Sequence, residues 1–372
     1  MVKTEREFTR SLKSETAHAK DFDYIELYVG NAKQAAHFYR TALGFKPIAY
    51  AGLETGERDR VSFILEQGEI RLVLTASITP DSAVAEHVLL HGDGVRDIAF
   101  AVDDAAMAFE IAVERGAEPI LEPTVIEDEA SRIIKATIGA FGHTVHSFIQ
   151  RSNSQWEILP HYQPLPASWS VPATSLSAID HVAISVEEGQ LDRWIDFYRD
   201  VLGFHLSHQE DISTSHSAMN SKVVQNKLNN IKLPIMQPAP GLRKSQIQEY
   251  LTFHKGPGAQ HLAFSSADIV NTVRALQANS VEFLRTPDTY YDMLGSRVGK
   301  VDQDIKALRE LGILVDRDDW GYLLQIFTKP LQTRPTLFVE IIQRVEARGF
   351  GGGNIKALFE AIEREQAIRG TL

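Results

Sequence analysis

Apolar and polar positions alternate with period two over residues 22–29, which predicts a strand, and the spacing then changes to a helical one. Ala35, Ala36, Tyr39 and Leu43 fall on one face of a helix over 32–43, with Asn31 placed to cap it and Gly44 to end it. Strands are expected around 60–66, 70–75 and 94–102. A helix over about 104–115 should end at Gly116, and a hairpin should close around 139–142. Near the other end, residues 334–343 form a proline-initiated apolar run rich in Phe, Val and Ile, the pattern of a buried strand. Residues 354 to about 368 place Ala357, Leu358, Ala361 and Ile362 on one helical face.

The plan is written twice. Phe38-Tyr39-Arg40-Thr41-Ala42-Leu43-Gly44-Phe45 matches Phe197-Tyr198-Arg199-Asp200-Val201-Leu202-Gly203-Phe204, and the segment from Gly94 to Phe100 matches that from Gly258 to Phe264. A repeat of this kind outranks local readings. It divides the chain into a tail (1–20), a first module (21–151), a linker (152–178) and a second module with a C-terminal helix (179–372). The linker holds Pro160, Pro164, Pro166 and Pro172 among serines.

Three strand-like runs of the second half carry a polar residue that an apolar strand would exclude: His181, His261 and Glu340. A buried charge is costly unless it is paired or binds a metal. Taken singly, each histidine is an ordinary core residue. The first half supplies a comparison, because Tyr24, Asp97 and Ser147 stand at the equivalent positions and all three donors are missing together. One working metal site and one scaffold copy are therefore expected. Two imidazoles and a carboxylate on one face of an octahedral ion leave three positions for a bidentate substrate and O₂, the habit of non-haem Fe(II). Zn²⁺ also accepts this donor set, so both metals stay open. His143, His146, His205, His208, His216 and His254 lie in or near turns and are expected to be solvated.

Composition narrows the setting. The 372 residues are 44% hydrophobic and 23% charged, with a net charge of −11, which argues against nucleic-acid and anionic-membrane partners. The chain has no cysteine, so disulfides and thiolate metal sites are excluded. The first 20 residues lack an apolar signal core, and no run nears the ~20 apolar residues of a membrane span. A cytoplasmic protein with a loosely ordered tail is expected.

Further motifs of the second half are Asp180-His181-Val182, Pro238-Ala239-Pro240-Gly241 with Lys244-Ser245-Gln246-Ile247, Gly258-Ala259-Gln260-His261, Gly321-Tyr322-Leu323-Leu324-Gln325-Ile326-Phe327 and Gly349-Phe350-Gly351-Gly352-Gly353-Asn354. With these, the chain resembles the 4-hydroxyphenylpyruvate dioxygenase and 4-hydroxymandelate synthase family of the vicinal-oxygen-chelate superfamily over about 20–372. The resemblance implies an α+β fold of two modules, each of paired βαβββ units forming a half-open curved barrel, with a C-terminal gating helix. It implies Fe(II) held by His181, His261 and Glu340, and O₂ as co-substrate. The substrate would be an aromatic 2-oxo acid that chelates through its own carboxylate and ketone, so no separate 2-oxoglutarate is needed. It further implies catalytic roles for Gln246, Gln260 and Gln325, substrate contacts at Ser221, Phe327 and Phe350, and a homo-oligomer (dimer or tetramer) built through the first module.

Two positions depart from the dioxygenase pattern. Its Pro-Ile-Asn-Glu-Pro segment reads Pro234-Ile235-Met236-Gln237-Pro238, and its Gly-Asn-Phe-Lys-Ala-Leu reads Gly353-Asn354-Ile355-Lys356-Ala357-Leu358. Apolar Met236 and the smaller Ile355 resemble the synthase, as does the run 218–225, whereas 323–330 is closer to the dioxygenase. Loss of a polar anchor and of a bulky ring would let the substrate ring turn and present its benzylic C–H. A difference of ~1.4 kcal/mol between two barriers changes a product ratio tenfold. The expected product is accordingly 4-hydroxymandelate, with homogentisate as the alternative. A different 2-oxo acid substrate, or a module that binds ligand without chemistry, are the further readings.

Overall fold

The computed structural model describes residues 17–152, 157–166 and 170–371. Two sheets form their framework. The first is built from β1 (Asp21–Tyr28), β2 (Lys46–Ala51), β3 (Arg60–Gln67), β4 (Ile70–Ser77), β5 (Gly94–Ala101), β6 (Pro119–Glu127), β7 (Arg132–Gly139), β8 (Val145–Arg151) and the two-residue β9 (Gln163–Pro164). Their order is β6-β7-β8-β5-β1-β4-β3-β2-β9. The second comprises β10 (Leu176–Ser185), β11 (His205–Ser213), β12 (Ala218–Gln225), β13 (Lys232–Ala239), β14 (Gly258–Ser266), β15 (Leu314–Arg317), β16 (Tyr322–Phe327) and β17 (Phe338–Val345), in the order β11-β12-β13-β10-β14-β17-β16-β15.

Helices α1 (Ala32–Thr41), α2 (Ala83–His91) and α3 (Ala105–Glu114) belong to the first half. Helices α4 (Leu191–Asp200), α5 (Gln246–His254), α6 (Ile269–Ala278), α7 (Asp288–Asp292), α8 (Leu294–Val298), α9 (Ile305–Leu311) and α10 (Gly352–Arg369) belong to the second. The cap expected of Asn31 is present: its side chain accepts from the Gln34 N–H at 3.0 Å. Gly44 has φ +79°, and a Cβ there would lie 2.6 Å from the Pro172 carbonyl oxygen, so both backbone and space call for glycine.

The repeat is visible in the strand register. His181 pairs with Ala263 and Ala183 with His261 across β10 and β14, while Tyr24 pairs with Ala99 and Glu26 with Asp97 across β1 and β5. The parallel neighbour completes each set: Glu340 stands level with Ala263, and the Phe100–Phe148 pairing puts Ser147 level with Ala99. The curled sheets share one apolar core, in which Phe45 meets Phe264 and Phe141 meets Trp194 edge to face, with ring centroids 5.7 and 6.0 Å apart.

Several expectations need correction. The strand β2, the helix α2 and the strand β6 were not foreseen. Ala17 and Ala19, assigned to a loose tail, are buried, and the Lys20 N–H donates to the Ala101 carbonyl; residues 1–16 lie outside the described residues. β10 begins at Leu176, inside the stretch expected as linker. His146, in β8, and His254, the last residue of α5, are buried rather than solvated, because each packs against the other half of the chain, His146 on Tyr198 and His254 on His91.

Candidate metal centre

Ala263 organises the site. Its neighbours across both adjacent strands are His181 and Glu340, and directly opposed residues point to the same face of a sheet. Its methyl is fully buried in a small cluster with Leu323, Ile342 and Ala347. His261, two residues along on the same face, closes the triangle. His181 Nε2 and His261 Nε2 lie 3.3 Å from Glu340 Oε2 and 3.4 Å from each other. For bonds of ~2.1 Å, ligand atoms are about 3.0 Å apart at right angles and about 3.4 Å apart in a tetrahedron, so one ion fits all three.

Each ligand is held by its other polar atom. His181 Nδ1–H donates to Asp180 Oδ1 at 2.8 Å, and Asp180 is gripped by the Arg344 guanidinium at 2.7 and 2.8 Å. His261 Nδ1–H donates to Gln260 Oε1 at 3.2 Å. Glu340 Oε1 accepts from Gln325 Nε2 at 2.8 Å, and Gln325 Oε1 in turn accepts from Asn354 on α10 at 2.8 Å. Such outer partners fix the imidazole tautomer and leave Nε2 free to ligate. Burial alone would raise the Glu340 carboxyl, but the two imidazoles outweigh it and hold the group down to about 2. Burial likewise opposes the Asp180 anion, and Arg344 overrides it, keeping the group well below the usual carboxylate range. His181 is raised because Glu340 and Asp180 overcome its burial, whereas burial wins at His261 and lowers it. A bound divalent cation would displace the proton drawn onto His181, since ligation requires neutral imidazole.

In the first half the same positions are closed off. Lys135 Nζ donates to the Tyr24 hydroxyl at 2.8 Å and to Asp97 Oδ2 at 3.2 Å, while Ser147 Oγ–H donates to Asp97 Oδ2 at 2.6 Å. A tethered ammonium sits among the three residues that correspond to the ligands.

A small, narrow cavity of about 40 Å³ opens beside the triad. All the residues singled out from the sequence line it: Ser221, Met236, Gln246, Gln260, Gln325, Phe327, Phe350 and Ile355, besides the triad. Phe327 stands opposite Glu340 in the β16–β17 register, and Phe350 lies edge-on to His181 at 5.3 Å. Gln260 and Gln325 are engaged with His261 and Glu340, whereas Gln246 keeps an unpaired Oε1. Ser221 and Met236 are cross-strand partners. Ile355 and Leu358 project from α10, which is tied down at Glu363 by the Thr214 and Ser217 hydroxyls, each 2.6 Å away.

Sequence reasoning missed His208 and Glu210. They line the cavity from β11, and His208 Nε2–H donates to Glu210 Oε1 at 2.9 Å. Their only signal is period two with the buried Ile212. The place of Arg344 behind Asp180 was missed as well, and only tertiary packing brings those two together.

The glyoxalase/bleomycin resistance protein/dioxygenase superfamily model matches residues 21–145 and again 178–326, in step with the two sheets. A 4-hydroxyphenylpyruvate dioxygenase from Danio rerio is 44% identical, over 97% of this chain and 94% of its own length. One from Yarrowia lipolytica is 41% identical, over 99% and 97%. A solved mutant of 4-hydroxymandelate synthase from Streptomyces coelicolor superposes with a TM-score of 0.85 at 40% identity, covering 94% of this chain and 99% of its own. With the repeat, the triad and these relatives in agreement, the chain belongs to the 4-hydroxyphenylpyruvate dioxygenase and 4-hydroxymandelate synthase family of enzymes, within the vicinal-oxygen-chelate superfamily.

Proposed function

We propose that the protein oxidatively decarboxylates 4-hydroxyphenylpyruvate with O₂ and releases 4-hydroxymandelate and CO₂. The observation that carries the choice of product is the position of Met236 and Ile355, which both line the cavity beside the triad. Fe(II) bound by His181, His261 and Glu340 would supply chelation of the 2-oxo acid and activation of O₂. The protein's own groups do the rest. Phe327 and Phe350 wall the space for an aromatic ring, and Gln246, with its free amide oxygen, can accept from a substrate hydroxyl. Met236 gives the ring an apolar, adaptable neighbour where an amide would have fixed its tilt. Ile355 leaves room that a phenylalanine would fill. Both features favour approach of the benzylic carbon over the ring carbon that bears the side chain. Helix α10, anchored at Glu363, keeps bulk water from the cavity while its first turn steadies Gln325 through Asn354.

A second reading has its own support. The curated relatives at 41–44% identity are 4-hydroxyphenylpyruvate dioxygenases, which favours homogentisate. The two products are isomers, so chromatographic retention against standards, rather than mass, decides between them. Release of 4-hydroxymandelate from the Fe(II)-loaded enzyme supports the proposal; homogentisate transfers the assignment to the dioxygenase. Turnover only with another 2-oxo acid rejects both. The cytoplasm is the proposed setting, and no helix among the described residues is long and apolar enough to cross a membrane. Assembly through the first module is also proposed. It is supported by the edge strand β6, which exposes Ile120, Leu121 and Val125.

A further inference from the structure

Far from the triad, a second group of histidines gathers where the two halves of the chain meet. Helix α2 carries His87 and His91 at i and i+4, so both rings leave the same face. His143, from the turn between β7 and β8, comes up to meet them, and one ring nitrogen of each of the three lies within 4.8 Å of the others. His91 Nδ1–H donates to the backbone carbonyl of His254, at the end of α5, at 2.5 Å. That bond fixes the tautomer and turns the lone pair of Nε2 toward His143 Nδ1, 2.7 Å away. An imidazole whose far N–H is held by a carbonyl is the usual preparation for ligating through the other nitrogen. The His254 ring stacks on His91 with centroids 4.4 Å apart and supports its orientation.

His87 supplies the independent observation. It is 8% exposed, lies against His91 at 4.6 Å between ring centroids, and its Nε2 has no hydrogen-bond partner. A buried ring nitrogen left unpartnered is costly, and ligation would relieve it. The site lies at the C-terminal end of α2, where the helix dipole favours a cation. Arg96 and Arg334 lie close enough to oppose one and are the main charges acting against it. Tetrahedral ligation needs nitrogens about 3.4 Å apart, within reach of small ring rotations. Three neutral imidazoles without a carboxylate or thiolate select a borderline transition ion over Mg²⁺ or Ca²⁺.

We propose that His87, His91 and His143 form a second transition-metal site, of Zn²⁺ type with water as a fourth ligand, that fastens α2 to the turn between β7 and β8, beside the end of α5. Helix α5, whose His254 carbonyl holds the His91 ring, begins with Gln246 in the catalytic cavity.

Metal counting on the full-length protein tests this. The chain is saturated with Zn²⁺, desalted and assayed by inductively coupled plasma mass spectrometry, with melting temperature read in parallel. Wild type should retain two equivalents. His143→Ala and His91→Ala should retain one, with affinity for the second ion at least tenfold weaker and the Zn²⁺-induced rise in melting temperature reduced. The double variant His181→Ala/His261→Ala should also retain one, held at the second site. His143 is exposed, so its replacement remains informative even if His91→Ala does not fold. A single equivalent in wild type, or two equivalents retained by His143→Ala, overturns the proposal.

Discussion

Replacing Lys135 with methionine should destabilise the protein by about 3 kcal/mol while leaving the metal centre intact. The Lys135 side chain is 22% exposed and its partner Asp97 only 2%, so the pair is largely out of water. Removing one member of a buried pair strands the other charge and costs roughly 3–5 kcal/mol. Asp97 would keep the Ser147 backbone N–H at 3.0 Å and the Ser147 hydroxyl at 2.6 Å, which places the cost at the lower end of that range. At about 2.1 cal/mol/K of unfolding entropy per residue, a chain of 372 residues loses about 1.3 °C per kcal/mol, so the melting temperature should fall by about 4 °C. Differential scanning calorimetry reads that shift. Iron content and turnover of the same sample should match wild type, because the triad shares no side chain with this cluster. Lys135→Met/Asp97→Leu should recover much of the loss, since an apolar replacement of both partners strands nothing. A melting point within about 1 °C of wild type, or loss of iron, would refute the view that a tethered ammonium holds together the metal-free counterpart of the working site.

Other consequences are equally specific. Asp180→Asn, which removes the anion between His181 and Arg344, should weaken Fe(II) binding by roughly 10–100-fold in a chelator competition; unchanged affinity would separate Asp180 from metal holding. Met236→Asn/Ile355→Phe should move the product ratio toward homogentisate by about tenfold or more, a difference of ~1.4 kcal/mol, and an unmoved ratio would assign selectivity elsewhere. His146 is buried between the Ile98 carbonyl and the Tyr198 hydroxyl, and burial lowers its pKa to about 4. The unfolded chain therefore takes up this proton first as pH falls below ~6.5. Stability should decline between about pH 6.5 and 4, by roughly 3 kcal/mol from this group. His146→Gln should flatten that part of the stability profile, and a profile unchanged by the substitution would exclude His146 as its source.

The legible part of the site was legible for a physical reason. His181, His261 and Glu340 stand in strands whose other positions are apolar, so their presence demanded an explanation, and the repeat supplied a copy without them. The α1 segment was readable because the Asn31 cap and the apolar stripe agreed, and α3 because Gly116 marks its end. Strand β6 escaped because nearly all its residues are exposed and no alternation marks it. Helix α2 has apolar residues on several sides, Leu89 and Leu90 among them exposed, so no single stripe announces it. His146 and His254 read as turn residues because their burial comes from the packing of one half on the other. The contacts of Gln260 and Gln325 were not legible, because only the folded register sets them against His261 and Glu340.

The most direct test of the central claim is the nitric oxide complex of the anaerobic Fe(II) protein, followed by electron paramagnetic resonance. Wild type should give the near-axial S = 3/2 signal of a non-haem iron nitrosyl at one equivalent per chain. His181→Ala, His261→Ala and Glu340→Ala should each abolish it, while His143→Ala keeps it. A full signal in any of the three triad variants would mean that the iron is held elsewhere.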